Sequence, residues 1–284
     1  IIGTQAHSWV QKFDNELEAF QAYADVYPDK CLLLVDTYDV LNSGVPNAIK
    51  VFKNISEKGY KPMGIRLDSG DLAYLSKEAK KQLDNAGFSD ISITASNDLD
   101  EYTITSLKAE GATINSWGVG TKLITSFDSP SLGGVYKLAA SCEKGVLEPK
   151  IKISENPEKI NNPGYKKVIR IYNEDNKAEA DLIMLHDEVI DESKPLEIFH
   201  PTYTWKTKVF TNYKVKELLK PLYIKGRCKY NKKAVLEIKN HVQYELSTIW
   251  EQYKRLSKPH IYKVDLSRNL WYLKTQMIDS KKVL

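Results

Sequence analysis

The sequence predicts an α/β fold: an incomplete, irregular (β/α) barrel, with an open doubly wound sheet as the alternative, then a β-rich segment and a helical C-terminal region. Three observations carry this. Four short apolar runs begin near residues 31, 62, 91 and 114 and alternate with stretches of helical periodicity, the pattern of βα units on a parallel sheet. Polar residues collect where each run ends, at the edge where such folds keep their active sites. The charge changes sign along the chain: residues 1–140 hold 13 Lys/Arg against 18 Asp/Glu, and residues 141–284 hold 28 against 19. Three regions are expected: 1–140, a partial barrel with the active site; 141–200, rich in β-structure; and 201–284, basic, with a long helix. A closed barrel needs more strands than the four or five visible. The chain also opens on Ile1-Ile2-Gly3 rather than Met. Both suggest that part of the barrel lies before Ile1.

Each element follows from local spacing. Phe13, Leu17, Phe20, Ala24 and Tyr27 share one helical face over 13–27. Cys31-Leu-Leu-Leu-Val35 is a continuous apolar run between charges, as in a strand covered on both faces; it ends in Asp36-Thr37-Tyr38-Asp39. Val45, Ala48, Ile49 and Phe52 restore helical spacing over 45–58, with Pro46 in the first turn, where a missing N–H does no harm. Met63-Gly64-Ile65 runs into Arg66-Leu67-Asp68-Ser69-Gly70-Asp71. The helix after it carries Leu72, Leu75, Ala79, Leu83 and Ala86 and stops at Gly87. Residues 91–95 form a strand ending in Ser96-Asn97-Asp98, 100–110 a helix closed by Gly111, and 114–117 a strand ending in Gly118-Val119-Gly120-Thr121-Lys122. Further on, 134–151 alternates and reads as strands, while 150–164, with its prolines and asparagines, reads as a loop. Residues 168–172 and 180–185 read as a strand pair. A last helix over 232–256 carries Val235, Ile238, Val242, Leu246, Ile249, Tyr253 and Leu256 as a stripe for the core or a subunit contact.

Composition removes several classes. With 42% hydrophobic and 10% aromatic residues in 284, the chain can bury a core and is not disordered. No apolar run approaches the roughly 20 residues of a membrane span, and no signal peptide is visible. Cys31, Cys142 and Cys228 form no CxxC or Cys/His cluster, so no zinc site is expected. Scattered thiols suit a reducing, cytoplasmic setting, and Cys31 reads as a small core residue.

The strand ends carry the chemistry. Asp36, Arg66 with Asp68, Asn97 with Asp98, and Gly120 with Thr121 should converge on one edge. Asp68, Ser69 and Asp98 are also N-cap candidates. Gly118-Val119-Gly120-Thr121 is a small-residue turn whose free N–H groups could cradle a phosphate. Arg66 could clamp a carboxylate or phosphate, or pair with Asp68 or Asp71. Clustered carboxylates suit Mg²⁺ or sugar hydroxyls. Together these parts suggest a phosphorylated sugar as ligand. His7 precedes the first helix. An unprotonated imidazole attacks phosphorus if a carboxylate fixes its tautomer, and Asp36 is the natural candidate.

At these residues the sequence resembles a known family. Gly3-Thr4-Gln5-Ala6-His7-Ser8-Trp9, Val35-Asp36-Thr37-Tyr38-Asp39, Gly64-Ile65-Arg66-Leu67-Asp68-Ser69-Gly70-Asp71, Ala95-Ser96-Asn97-Asp98-Leu99 and Trp117-Gly118-Val119-Gly120-Thr121-Lys122-Leu123 look like motifs of the nicotinate phosphoribosyltransferases, in order and spacing. The resemblance implies the irregular α/β barrel of the type II phosphoribosyltransferases. It implies that nicotinate and 5-phosphoribosyl 1-pyrophosphate give nicotinate mononucleotide and pyrophosphate. ATP hydrolysis would be coupled through a phosphohistidine, with Mg²⁺ on the pyrophosphate, in a homodimer. His7 matches the phosphorylated histidine, Asp36 its paired aspartate and Asp68 an active-site carboxylate. Thr4 matches a nicotinate contact, Arg66 the arginine near the ring and its carboxylate, and Thr121 a phosphoribosyl contact. Ser96, Asn97, Gly118 and Gly120 match phosphate-binding positions. The loop 150–164 resembles one that carries cations to the phosphates, with Lys152, Ser154 and Lys159 as candidates; a solvated basic loop is the alternative. No protein-held metal cage is implied.

Other readings stay open. Nicotinamide phosphoribosyltransferase shares the architecture. Residues 206–233 hold ten Lys/Arg and one acid, with Tyr213, Tyr223 and Tyr230 interleaved. Such a stretch could bind nucleic acid, though it reads better as a solvated face, so no nucleic-acid partner is expected. A truncated, inactive product is the third reading: if Ile1 is the true start, the chain alone should not turn over.

Overall fold

The computed structural model describes residues 3–203 and 205–281; Ile1 and Ile2, on which the sequence opens, lie outside them. The chain divides into two compact units, Ile1–Gly133 and Gly134–Leu284.

In the first unit, β1 (Leu32–Leu34), β2 (Gly64–Leu67), β3 (Ser92–Ala95) and β4 (Ser116–Trp117) lie side by side in chain order, all parallel. The helices are α1 (His7–Gln11), α2 (Glu16–Val26), α3 (Val45–Glu57), α4 (Leu72–Asn85), α5 (Glu101–Ala109) and the single turn α6 (Thr121–Ile124). Leu34 pairs with Arg66, and Arg66 with Thr94, so that three strand ends align. The run Cys31 to Asp36 is buried throughout, as a strand covered on both faces requires. Phe20, Phe52, Leu83, Ile65 and Ile93 are fully buried around it, each contributing about 1.5–3 kcal/mol by leaving water. A π-helical turn, Val40–Gly44, follows β1. A Cβ on Gly44 would stand 1.9 Å from the Val35 carbonyl oxygen, so only glycine lets this turn press onto the strand end.

The sheet is open at β1 and β4, and no closed barrel forms among the described residues. The capping expectation changes. The N-caps of α4 and α5 are Asp71 and Asp100, which accept from the Tyr74 and Thr103 amides. Asp68, Ser69 and Asp98 cap neither helix and are left for other work.

In the second unit, β5 (Ala140–Glu143) and β6 (Val146–Pro149) form a hairpin. Then come β7 (Lys166–Tyr172), β8 (Ala178–Leu185), β9 (Leu196–Phe199), β10 (Thr207–Phe210), β11 (Lys214–Glu217), the ribbon β12 (Tyr223–Ile224) and β13 (Arg227–Cys228), α7 (Val235–Thr248), α8 (Glu251–Lys254), β14 (Val264–Leu266) and α9 (Arg268–Lys281). Six strands make one mixed sheet in the order β10-β9-β14-β8-β7-β11. Strict alternation of buried and half-buried residues along β8 gives it one core face. Across β7 and β8, Arg170 holds Asp181 with two bonds of 2.7 and 3.0 Å, and Tyr262 donates to the same carboxylate.

The C-terminal region is mixed rather than helical. The long helix expected over 232–256 is two pieces, α7 and α8, separated by extended backbone at Ile249 and Trp250. Val235, Ile238, Val242, Leu246 and Leu256 of its stripe are exposed rather than core. Cys31 is buried, and burial pushes its thiol up to about 12. The three cysteines are free thiols.

Candidate active site

The segment before α1 lies along β1. The Thr4 hydroxyl donates to the Leu32 carbonyl at 2.9 Å, and the Gln5 side-chain oxygen accepts the Leu34 amide at 3.2 Å. This lays His7, the first residue of α1, over the ends of β1 and β2. Its Nε2 stands 3.5 Å from Asp68 Oδ2 and 3.9 Å from Asp36 Oδ1, and its Nδ1 lies 3.1 Å from the Thr37 hydroxyl. The His7 side chain is 39% exposed and Asp36 only 1%, so the imidazole is accessible while the carboxylate behind it is not.

Asp36 is held from below. Its Oδ2 accepts the Asp68 amide at 3.0 Å and the Ser69 hydroxyl at 2.6 Å, while its buried Oδ1, on the His7 side, has no hydrogen-bond partner. Ser69 and Thr37, which sequence reasoning missed, are therefore parts of the site. The expected His7–Asp36 pairing is an approach of 3.9 Å rather than a hydrogen bond; the bond to the ring is made with Thr37.

Arg66 leaves β2 and meets three groups. Its Nε donates to Ser96 Oγ at 2.8 Å, Nη2 to Asp68 Oδ1 at 3.0 Å and Nη1 to the Gln5 carbonyl at 3.5 Å. A guanidinium has donors left after these. Of its two expected roles, the pairing with Asp68 is present; a clamp would have to use the remaining donors. The Ser96 hydroxyl donates in turn to Asp68 Oδ1. Burial would raise the Asp68 pKa, but the Ser96 bond, the Arg66 charge and bond, and the nearby His7 outweigh it and hold the carboxyl below its usual range.

A pocket of about 570 Å³ opens beside this network, lined among others by Thr4, Arg66, Ser96, Trp117, Gly118 and Gly120. In the glycine turn one of the four amides is taken. The Gly118 amide donates to the Ala95 carbonyl at 2.7 Å, completing the sheet. Gly118 supplies close approach instead: its Cβ would stand 3.3 Å from that of Ser96. Thr121 starts α6 and is exposed. Lys122 pairs with Asp100 at 2.5 Å across the turn. Asn97 and Asp98 both have positive φ, +88° and +40°, and are exposed. Non-glycine residues adopt that region only where the surroundings impose it.

Lys152, Ser154 and Lys159 lie in the second unit, on the irregular loop with the short 3₁₀ turn Pro157–Lys159. Asn161 fastens that loop by accepting the Lys152 amide and donating to the Leu138 and Lys150 carbonyls. Among the described residues, no carboxylate lies within salt-bridge distance of Lys152 or Lys159. No cluster of three His, Cys, Asp or Glu placed to hold a metal occurs among them either.

Residues 165–274 match the model of the nicotinate phosphoribosyltransferase C-terminal domain. The nicotinate phosphoribosyltransferase of Bacillus subtilis is 51% identical over 283 residues, covering 99% of this chain and 57% of that protein. That of Caenorhabditis elegans is 40% identical, covering 91% and 47%. The crystal structure of human nicotinic acid phosphoribosyltransferase superposes with a TM-score of 0.71 at 28% identity, over 93% of this chain and 50% of that one. The chain thus spans about half the length of the curated relatives it matches. Over nearly its whole length it is similar to nicotinate phosphoribosyltransferases.

Proposed function

We propose that this chain carries catalytic residues of a nicotinate phosphoribosyltransferase in NAD biosynthesis, which joins nicotinate to 5-phosphoribosyl 1-pyrophosphate with ATP hydrolysis. One observation carries the reading: His7 and Arg66 meet on the two oxygens of a single carboxylate, Asp68, beside an open pocket. The nicotinate ring nitrogen attacks the ribose anomeric carbon as the bond to pyrophosphate breaks. Positive charge builds at that carbon, and Asp68 and Asp36 stabilise it. Arg66, through its remaining donors, takes the nicotinate carboxylate, with Thr4 at its side and the Gly118–Thr121 turn on the phosphoribosyl group.

His7 takes the γ-phosphoryl of ATP. The neutral imidazole, held at the Thr37 hydroxyl, is the nucleophile; ADP leaves, and water later hydrolyses the phosphohistidine. The added negative charge sits beside Asp68 and competes for Arg66. That competition links ATP use to substrate affinity.

For Mg²⁺ the donor set fits a hydrated ion carried on substrate phosphates, with the part-exposed Asp68 as the carboxylate that would reach it. When bound, it offsets the charge of the departing pyrophosphate. The open four-stranded sheet is read as part of the irregular type II barrel. The assembly is read as a cytoplasmic homodimer whose loop residues Lys152, Ser154 and Lys159 serve the phosphates.

Incubation with ATP labelled in its γ-phosphate should leave acid-labile, base-stable phosphate on His7, absent from His7→Ala. Label on a hydroxyl residue, or full ATP stimulation in His7→Ala, refutes the role of His7. Arg66→Ala should weaken nicotinate ten- to a hundredfold, roughly the worth of one charge-assisted bond pair. Equal use of nicotinamide by the unaltered protein refutes the choice of base.

A further inference from the structure

In the second unit a cleft of about 540 Å³ lies between the sheet edge at β11, the segment following it and α7. Arg170 and Lys216 line it and are neutralised there. Arg170 is held by Asp181, and Lys216 donates to Glu245 at 2.8 Å. Lys220, Lys233, His241 and Tyr230 also line the cleft, as does one carboxylate, Glu217. Of the ten cations over 206–233, only Lys208 and Lys216 have a carboxylate within 4 Å among the described residues. Lys220 and Lys233 have none.

Unpaired lysines on a convex surface are ordinary. Their gathering around a concavity is different, because low-dielectric walls focus the field and concentrate counter-ions. The fixed pairs keep the cleft in shape, while Lys220 and Lys233 are free to close on an anion. Tyr230 adds a hydroxyl donor and an aromatic face. The volume lies in the range of small-molecule sites, whereas a polyanion tracks an extended stripe.

We infer that this cleft is a binding site for a soluble, phosphate-bearing small molecule, held by Lys220 and Lys233. It is built wholly from the second unit and stands independently of the chemistry assigned to His7 and Arg66.

Lysine footprinting tests it. The whole chain is treated with a limiting amine-acylating reagent, with and without inorganic tripolyphosphate, in 0.15 M salt, roughly physiological. Modification of Lys220 and Lys233 should slow at least about threefold and saturably, while Lys225 and Lys229 on the ribbon are unchanged. Lys220→Glu should abolish the protection of Lys233, and Lys233→Glu that of Lys220; both side chains are exposed, so folding should survive. Arg66→Ala should leave the protection intact. Absence of protection, or protection of all surface lysines that fades with salt, overturns the site. So does preferential protection by a single-stranded oligonucleotide or anionic vesicles, which would make this a polyanion or membrane surface.

Discussion

Asp68 is the residue on which the site turns, because one carboxylate serves a guanidinium, a hydroxyl and an imidazole. Its pKa is lowered in the folded protein. A depressed carboxyl contributes stability that is present above its unfolded value of about 3.9 and lost as pH falls through the folded value. Asp68→Asn keeps the shape and removes the charge. After discounting for partial exposure, it should cost about 1 kcal/mol at neutral pH. Urea denaturation should show that difference shrinking below about pH 4, as the unfolded carboxyl takes up its proton before the native one does. A constant difference across that range would show that shape, not charge, was lost. Asp36, Arg66 and Asp68 were legible in the sequence because a polar residue directly after an apolar strand stands at the sheet's edge. Thr37 and Ser69 were not, because a hydroxyl's partner depends on which strand end lies opposite. The capping expectation failed similarly: several aspartates precede α4 and α5, and only the turn's geometry selects Asp71 and Asp100.

At the scale of elements, the parallel strands and their helices were readable because each carries its own period. The open ends were not, since a period reports that a face needs cover and not what covers it. The stripe of α7 has helical spacing yet stands exposed. The strands β10 and β11 lie in a lysine-rich stretch whose charges hid their alternation. What positions the site is less visible still: the π-helical turn presses on Val35, one residue before Asp36, through Gly44. Gly44→Ala places a methyl carbon 1.9 Å from a backbone oxygen, so the turn or the strand end must move. We expect a loss of about 1–3 kcal/mol in unfolding free energy. Gly133→Ala, with nothing within 4 Å of its added carbon, should stay within about 0.5 kcal/mol. Equal midpoints for the two variants would mean that the turn yields freely and does not set the position of Asp36.

For the whole molecule, the charge division seen in the sequence has a thermodynamic counterpart in how the two units meet acid. In the second unit, His200 Nδ1 accepts the Thr202 and Tyr203 amides at 3.1 and 3.0 Å, which an imidazolium cannot do. Burial lowers its pKa, with Lys206 and Lys263 adding to the shift and Asp265 opposing it. A base depressed on folding gives its full stability above its unfolded value, about 6.5, and loses it as pH falls from there toward the folded value. Lys274, buried and bonded to the Asn162 and Pro201 oxygens, has the same sign at higher pH. In the first unit the shifted site group is a carboxylate, whose contribution persists to about pH 4. The second unit should therefore weaken first. Hydrogen exchange, corrected for intrinsic rates, should show β9 and β10 losing protection between about pH 6.5 and 5 while β1 to β3 hold. In His200→Asn the amide oxygen accepts the same N–H groups without titrating, and the pH slope of the second unit should flatten. An unchanged slope in that variant, or earlier loss in β1 to β3, would place the acid-sensitive group elsewhere.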